Sequence, residues 1–315
     1  MTGTHSRKTR ITPTLPALAF LILALLLLPR VPAKEASAPV PAPSEEERLI
    51  LYTSMQEEVF APLAREFENR TGIWVSVKTG GSLSELNRIA SGEPADWDVI
   101  LAPVDALEGF HQLFSNAVRP ETPETSPSSQ TVFPYSLSEI VIIYNTKLVR
   151  LYPPDNWSSL LDPVWNGRIA FSDPRNTGEG FACYQALEKT LQEQEGVLPD
   201  ALSQALSEPY FTDTDELIRA VANGTYYIGV VFYDAALRAV SSGYDITIVR
   251  PQERAIPVAN GMAVLSSSSR QENAEKFLSF LLDETIQEYL QTRFFFGPLS
   301  EEAVRQNVPE TEVGP

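Results

Sequence analysis

The sequence predicts an α/β protein of two lobes, each a mostly parallel sheet flanked by helices. Three observations carry that prediction. From Leu49 to Leu101, short apolar runs alternate with segments of helical period in a β–α–β–α–β order. A polar, proline-rich stretch at Pro120–Thr131 then interrupts the pattern, and buried strand-like runs resume beyond it. Finally, 315 residues suffice for two ordinary domains with sizeable cores.

In chain order, Leu49 to Tyr52 is a buried strand. Phe60, Leu63, Ala64 and Phe67 recur at helical spacing, and Gly72 ends that helix. Ile73 to Val77 forms the second strand, Leu83, Leu86 and Ile89 mark a short helix, and Val99 to Leu101 a third strand. Ile140 to Tyr144, Arg168 to Phe171 and Tyr226 to Phe232 are further strands, with a helix from Gly180 to about Glu193. Met262 to Leu265 is strand-like, and Ala274, Phe277, Leu278 and Leu281 define a long amphipathic helix. No internal repeat is visible. The expected organisation is a signal segment 1–33, a flexible leader 34–48, lobe 1 over 49–136, lobe 2 over 137–244, a return to lobe 1 with C-terminal helices over 245–300, and a tail 301–315.

The N-terminus reads as an export signal. Arg7, Lys8 and Arg10 precede an apolar run from Leu15 to Leu28, short of the ~20 residues a spanning helix needs. Val31 and Ala33 fit a cleavage site, and the absence of a nearby cysteine removes a lipid attachment point. The mature protein is expected to be free in a periplasm. Cleavage removes four positive charges and no negative ones, taking the formal balance from −17 to −21. Such acidity argues against nucleic-acid binding. A lone Cys183 excludes an intrachain disulfide and a multi-cysteine metal cluster.

Three strand-to-helix junctions share one chemistry. Ser54-Met55-Gln56-Glu57 and Ser82-Leu83-Ser84-Glu85 have the capping-box pattern, the second preceded by Gly80-Gly81. In Asp173 to Gly180, either Asn176 or Thr177 is the expected cap. Helix starts at the carboxyl ends of parallel strands favour anions. The glutamates at 57, 85 and 179 oppose that preference.

Catalytic signatures are sparse. His111 is the one histidine after the signal segment, within a helical Leu107–Phe114 stretch, and no nucleophile elbow, zinc or P-loop pattern occurs. Tyr226 and Tyr227 alternate to opposite faces of a strand and read as core.

Several segments in order resemble the extracellular solute-binding proteins of ABC importers, in the group holding ferric-ion, phosphonate and phosphoglycerate binders. They are Leu51-Tyr52-Thr53-Ser54; Phe67 to Val75 (FENRTGIWV); Ala95-Asp96-Trp97-Asp98-Val99; Trp157 to Ile169 (WSSLLDPVWNGRI); and Ala274-Glu275-Lys276-Phe277. The resemblance spans roughly Leu49–Ser300. It implies the two-lobed type II periplasmic-binding architecture, a non-catalytic monomer without cofactor, and an inner-membrane permease as partner. By the same resemblance Ser54, Ser82, Asn176, Thr177 and Gly178 line the cleft around a small anion such as a phosphonate or phosphate ester, and Tyr233 falls in the segment where ferric binders place metal-ligating tyrosines, with Asp234 beside it as a further expected ligand residue. Asp234 would meet an ammonium group if the solute is zwitterionic. The alternative ligand is ferric iron, held by Tyr233, Asp234 and Glu57, although Phe232-Tyr233-Asp234-Ala235 lacks the paired tyrosines of ferric binders. Readings of another class are a ligand sensor for a membrane kinase and a secreted hydrolase with paired carboxylates.

Overall fold

The computed structural model describes residues 47–118, 130–195, 197, 200–206, 208–251 and 255–297, all within the compact unit Pro43–Pro315. The expected signal segment, nearly all of the leader, the polar loop as far as residue 129 and the C-terminal tail lie outside the described residues.

β1 (Arg48–Thr53) is followed by α1 (Glu57–Thr71), β2 (Trp74–Thr79), α2 (Ser82–Ala90), β3 (Val99–Pro103) and α3 (Val104–Glu108). β2 and β3 both run parallel to β1 on its two sides. α1 forms because its apolar residues fall on one stripe. Val59, Phe60, Leu63, Ala64 and Phe67 are buried, and the chain leaves the helix at Gly72, whose N–H donates to the Glu68 carbonyl.

β4 (Val132–Asn145) then leads to β5 (Ile169–Ala170), α4 (Gly178–Glu195), α5 (Ala201–Ala205), α6 (Thr214–Ala222) and β6 (Ile228–Phe232). α7 (Tyr233–Ser241), β7 (Ile246–Val249), β8 (Ile256–Val264), α8 (Gln271–Leu281) and α9 (Glu284–Phe294) complete the chain. The described strands form one sheet of order β2-β1-β3-β8-β4-β6-β5, with β7 also paired to β4. β1 with β2 and β3, and β5 with β6, are parallel; the ladders made by β4 and β8 are antiparallel.

Two long strands join the lobes. β4 pairs with β8 from Val132 to Ile140, and beyond that with β6 and β7. β8 pairs on its other side with β3. Lobe 1 therefore packs α1, α8 and α9 on one face, where the Phe67 and Phe277 rings meet edge-on at 5.0 Å. Trp97, Leu86 and Leu107 fill the other face. In lobe 2, Trp157, Phe171 and Leu187 build one core, and Val141, Leu217, Val231 and Ala236 a second. Each fully buried aromatic or aliphatic side chain contributes roughly 1.5–3 kcal/mol.

Several strands differ in extent from the sequence pattern, β4 most of all. β4 is fourteen residues long where the pattern predicts a strand over 140–144. Its first half holds Pro134, Ser136 and Ser138, which break the apolar run. Those serines are nonetheless buried, because the Asn260 side chain on β8 donates to both hydroxyls, at 3.1 and 2.9 Å. β8 likewise starts at Ile256 rather than Met262, and β5 covers two residues. The expected return to lobe 1 near residue 245 also shifts. β7 pairs with the lobe 2 half of β4 and buries Ile246 in that lobe's core, so β8 carries the chain back. No helix among the described residues is long and apolar enough to cross a membrane.

Candidate functional site

A cleft of about 520 Å³ lies where the lobes face each other. Lobe 1 contributes Ser54, Met55 and Gln56 after β1, Gly80 and Gly81 after β2, and Pro103 at the end of β3. Lobe 2 contributes Thr177 and Glu179 at the start of α4, Thr212 to Asp215 before and into α6, and Asp234 and Arg238 on α7. Ser138 and Asn260 on the connecting strands line it as well. Except for α6, which follows α5, the helix starts involved come after strands, which brings them to one edge of the sheet.

Five polar contacts among the described residues cross between the lobes at the cleft. The Ser54 hydroxyl donates to the Glu179 carboxylate. Gln56 donates through Nε2 to Asp215 and accepts from Arg238 Nε at 3.1 Å. The Gly178 amide donates to Ser82 Oγ at 2.9 Å, and the Ser84 amide to the Asn176 carbonyl at 3.1 Å. Approach this close requires glycine. A Cβ on Gly178 would sit 2.5 Å from Ser82 Oγ, and one on Gly81 would sit 2.5 Å from the Asn176 carbonyl oxygen.

Two acidic groups inside the cleft are perturbed. Burial pushes the Glu179 carboxyl above the usual carboxylate range, while the Ser54 hydroxyl pulls it back and the Asp234 charge adds to the rise. Burial also raises Asp234, against the opposing pull of Arg238. Arg238 Nη1 donates to Asp234 Oδ2 at 2.8 Å. Asp234 Oδ1 is buried, and although its own amide and that of Ala235 lean toward the carboxylate, no donor reaches this oxygen with hydrogen-bond geometry. Asp215, nearer the rim, is raised by burial and by Asp213.

The seven expected ligand residues separate into groups. Ser54, Thr177 and Asp234 line the cleft. Ser82 and Gly178 bond to each other across the lobes, outside its lining. Asn176 is exposed, and its side chain donates to Asp173 at 2.8 Å. Tyr233 lies outside the lining with the Arg250 guanidinium 4.8 Å above its ring, because it opens α7 on the side of the lobe 2 core. Glu57 lines the cleft at its exposed rim. The expected iron set of Tyr233, Asp234 and Glu57 is thus divided between two places. Among the described residues no three His, Cys, Asp or Glu gather as a metal site.

Two of the capping expectations are corrected. Gln56, not Ser54, is the N-cap of α1, and Gly81 precedes α2, with Ser82 already inside the helix. Ser54 and Ser82 are drawn instead to lobe 2 partners, and Glu85 takes Arg88 and the Trp97 indole. Thr177 does cap α4, accepting from the Gly180 amide at 3.0 Å. Tyr226 and Tyr227 pack against different lobe 2 cores, and His111 is exposed. Sequence reasoning did not single out Gln56, Asp215 or Arg238. The spacing of Arg238, four residues after Asp234 on a helix, was the one available signal.

Two lobes joined by long strands around a polar cleft define a bilobal solute receptor. The family model for bacterial extracellular solute-binding proteins matches residues 49–296, and the chain belongs to that family. Among curated relatives, iron uptake protein A1 of Synechocystis sp. is 27% identical over 284 residues, covering 82% of this chain and 77% of that protein. A putative 2-aminoethylphosphonate-binding periplasmic protein of Salmonella typhimurium is 23% identical, over 70% of this chain and 68% of that one. The substrate-binding protein of an ABC transporter from Agrobacterium tumefaciens superposes with a TM-score of 0.66 at 16% identity, covering 83% and 82% of the two chains.

Proposed function

We propose that the chain is the exported receptor of an ABC importer, which closes on a small oxyanion-bearing solute and delivers it to an inner-membrane permease. In this reading the solute is a phosphonate or phosphate ester. The periplasmic names of relatives and the expected cleaved signal support the location, and the protein acts as a monomer without catalysis or cofactor. The observation that carries the ligand class is Arg238. It is the one lysine or arginine lining the described cleft, fixed by Gln56 and Asp234 through Nε and Nη1, with Nη2 left to receive an oxyanion. The hydroxyls of Thr212 and Ser138 supply further donors around it.

Binding that selects the closed form raises the melting temperature by mass action, worth about 4.1 kcal/mol at a thousandfold excess over Kd. A thermal-shift panel of phosphonates, phosphate esters and ferric citrate tests this. A shift with a phosphonate or phosphate ester that disappears in Arg238→Met is expected. The second reading, ferric iron, is favoured by the six carboxylates lining the cleft and by the name of the Synechocystis relative. A visible charge-transfer band with Fe³⁺ and no shift with any phosphorus oxyanion would replace the first reading with the second.

A further inference from the structure

We propose that Gln56 is a positioning residue that latches lobe 1 onto lobe 2 and, through the same bonds, fixes Arg238 for the solute. The inference rests on the receptor reading above and names the residue that couples capture to closure.

The five contacts that cross the cleft fall into two sets. Three meet the entry to α4: Ser54 with Glu179, Ser82 with the Gly178 amide, and the Ser84 amide with the Asn176 carbonyl. That side is also tightly packed, since a Cβ on Gly178 would lie 3.2 and 3.3 Å from Pro103 and Ala106 of lobe 1. The other two contacts both belong to Gln56. Among the described residues it alone hydrogen-bonds from lobe 1 to helices α6 and α7.

Glutamine suits this place because its amide carries both kinds of hydrogen-bonding atom. Arg238 can only donate and an ionised Asp215 only accept, so the carbonyl faces the arginine and the NH₂ the aspartate. Both bonds are charge-assisted, and such bonds are roughly twice as strong as neutral ones. Burial pushes the Asp215 carboxyl up, and the Gln56 amide pulls it back. The backbone end is equally fixed. The Gln56 carbonyl accepts the Val59 and Phe60 amides, at 3.0 and 3.3 Å, where α1 begins. One side chain rooted in lobe 1 therefore holds a cation and an anion of lobe 2 at once.

The consequence for Arg238 follows from its restraints. Asp234 lies one turn earlier on the same helix, so Nη1 keeps that partner whether the lobes are together or apart. A single bond leaves a long side chain free to swing. Nε meets Gln56 only when the lobes meet, and that second bond sets the guanidinium plane. A solute on the remaining edge then favours closure, and closure favours the solute by the same factor.

Hydrogen exchange of the solute-free protein, followed by NMR, tests the inference. In Gln56→Met the Gly178 and Ser84 amides and the Arg238 Nε–H should exchange about fivefold faster than in the parent. Gln56 bonds to neither amide, so their response reads closure and not a lost contact. Amides of the β4–β8 ladder should keep their rates, which separates unlatching from unfolding. Gln56→Glu sets like charges together and should exchange as fast as Gln56→Met. Adding Asp215→Asn to it restores a donor opposite an acceptor, and should return the rates to within about twofold of the parent. Unchanged exchange in Gln56→Met, an equal rise in the ladder amides, or no recovery in the swapped pair overturns the latch. Because no solute is present, that failure would leave the receptor reading standing, and a thermal-shift panel without a phosphorus oxyanion hit would overturn the ligand class and leave the latch standing.

Discussion

Asp98 in lobe 1 and Asp234 in lobe 2 are both buried aspartates paired with an arginine, yet their surroundings differ in kind. Asp98 Oδ2 accepts the Ile50 amide at 2.8 Å, Oδ1 accepts the Ser268 hydroxyl at 2.8 Å, and Arg270 Nη1 reaches both oxygens at 3.1 and 3.2 Å. Every acceptor faces a donor, and the group ties β1, β3 and the start of α8 together. Asp234 has one oxygen on Arg238, and the other has no donor in hydrogen-bond geometry, only the nearby Asp234 and Ala235 amides. A fully satisfied buried charge belongs to the scaffold, whereas a half-satisfied one beside a cavity is poised for a ligand.

The largest expected effect is on the scaffold side. Asp98→Ala removes the acceptor of the Ile50 amide and the carboxylate that Arg270 pairs with, and should cost about 3–5 kcal/mol in urea unfolding. A loss below about 1 kcal/mol would show that Asp98 is no more structural than Asp234. Ser82→Ala is intermediate. It leaves the buried Gly178 amide without its acceptor and should cost about 1 kcal/mol by the same measurement. Asp234→Asn should change unfolding stability by less than about 1 kcal/mol in either direction, because it removes an unsatisfied charge along with an ion pair. A cost like that of Asp98→Ala would mark Asp234 as scaffold.

The smallest effect is a change of slope with pH. Glu179 and Asp234 both have raised carboxyl pKa values, so the folded state holds their protons more tightly than the unfolded chain. Their contribution to stability is fully present below the ordinary carboxylate range and is lost as pH rises through the raised values. Melting temperature without ligand, followed upward from about pH 4, should fall less in the Glu179→Gln/Asp234→Asn double variant than in the parent. Parallel curves would show that neither group is perturbed.

Much of the scaffold was legible before the structure. The Phe60–Leu63–Phe67 stripe, the stop at Gly72 and the strands at Leu49 and Val99 follow from local pattern, which depends only on neighbours in sequence. The polar half of β4 was not, because Ser136 and Ser138 are tolerated inside only by Asn260, more than 120 residues away. The cleft was legible in part. Ser54, Thr177 and Asp234 line it, but Tyr233 turns to Arg250 and Asn176 to Asp173, a choice made by which way α7 and the α4 entry pack.

By itself the sequence determined the two-lobed α/β class, the family and an acidic chain with an export-like start, since period, composition and ordered motifs are one-dimensional properties. Only the tertiary structure decided which capping residues cap and which cross the cleft. It turned Ser54 toward Glu179, set Gln56 between Arg238 and Asp215, and left Asp234 Oδ1 without a donor. Those are contacts between segments 125 to 182 residues apart. Their energies come from desolvation and directional hydrogen bonds, which exist only once the lobes enclose them.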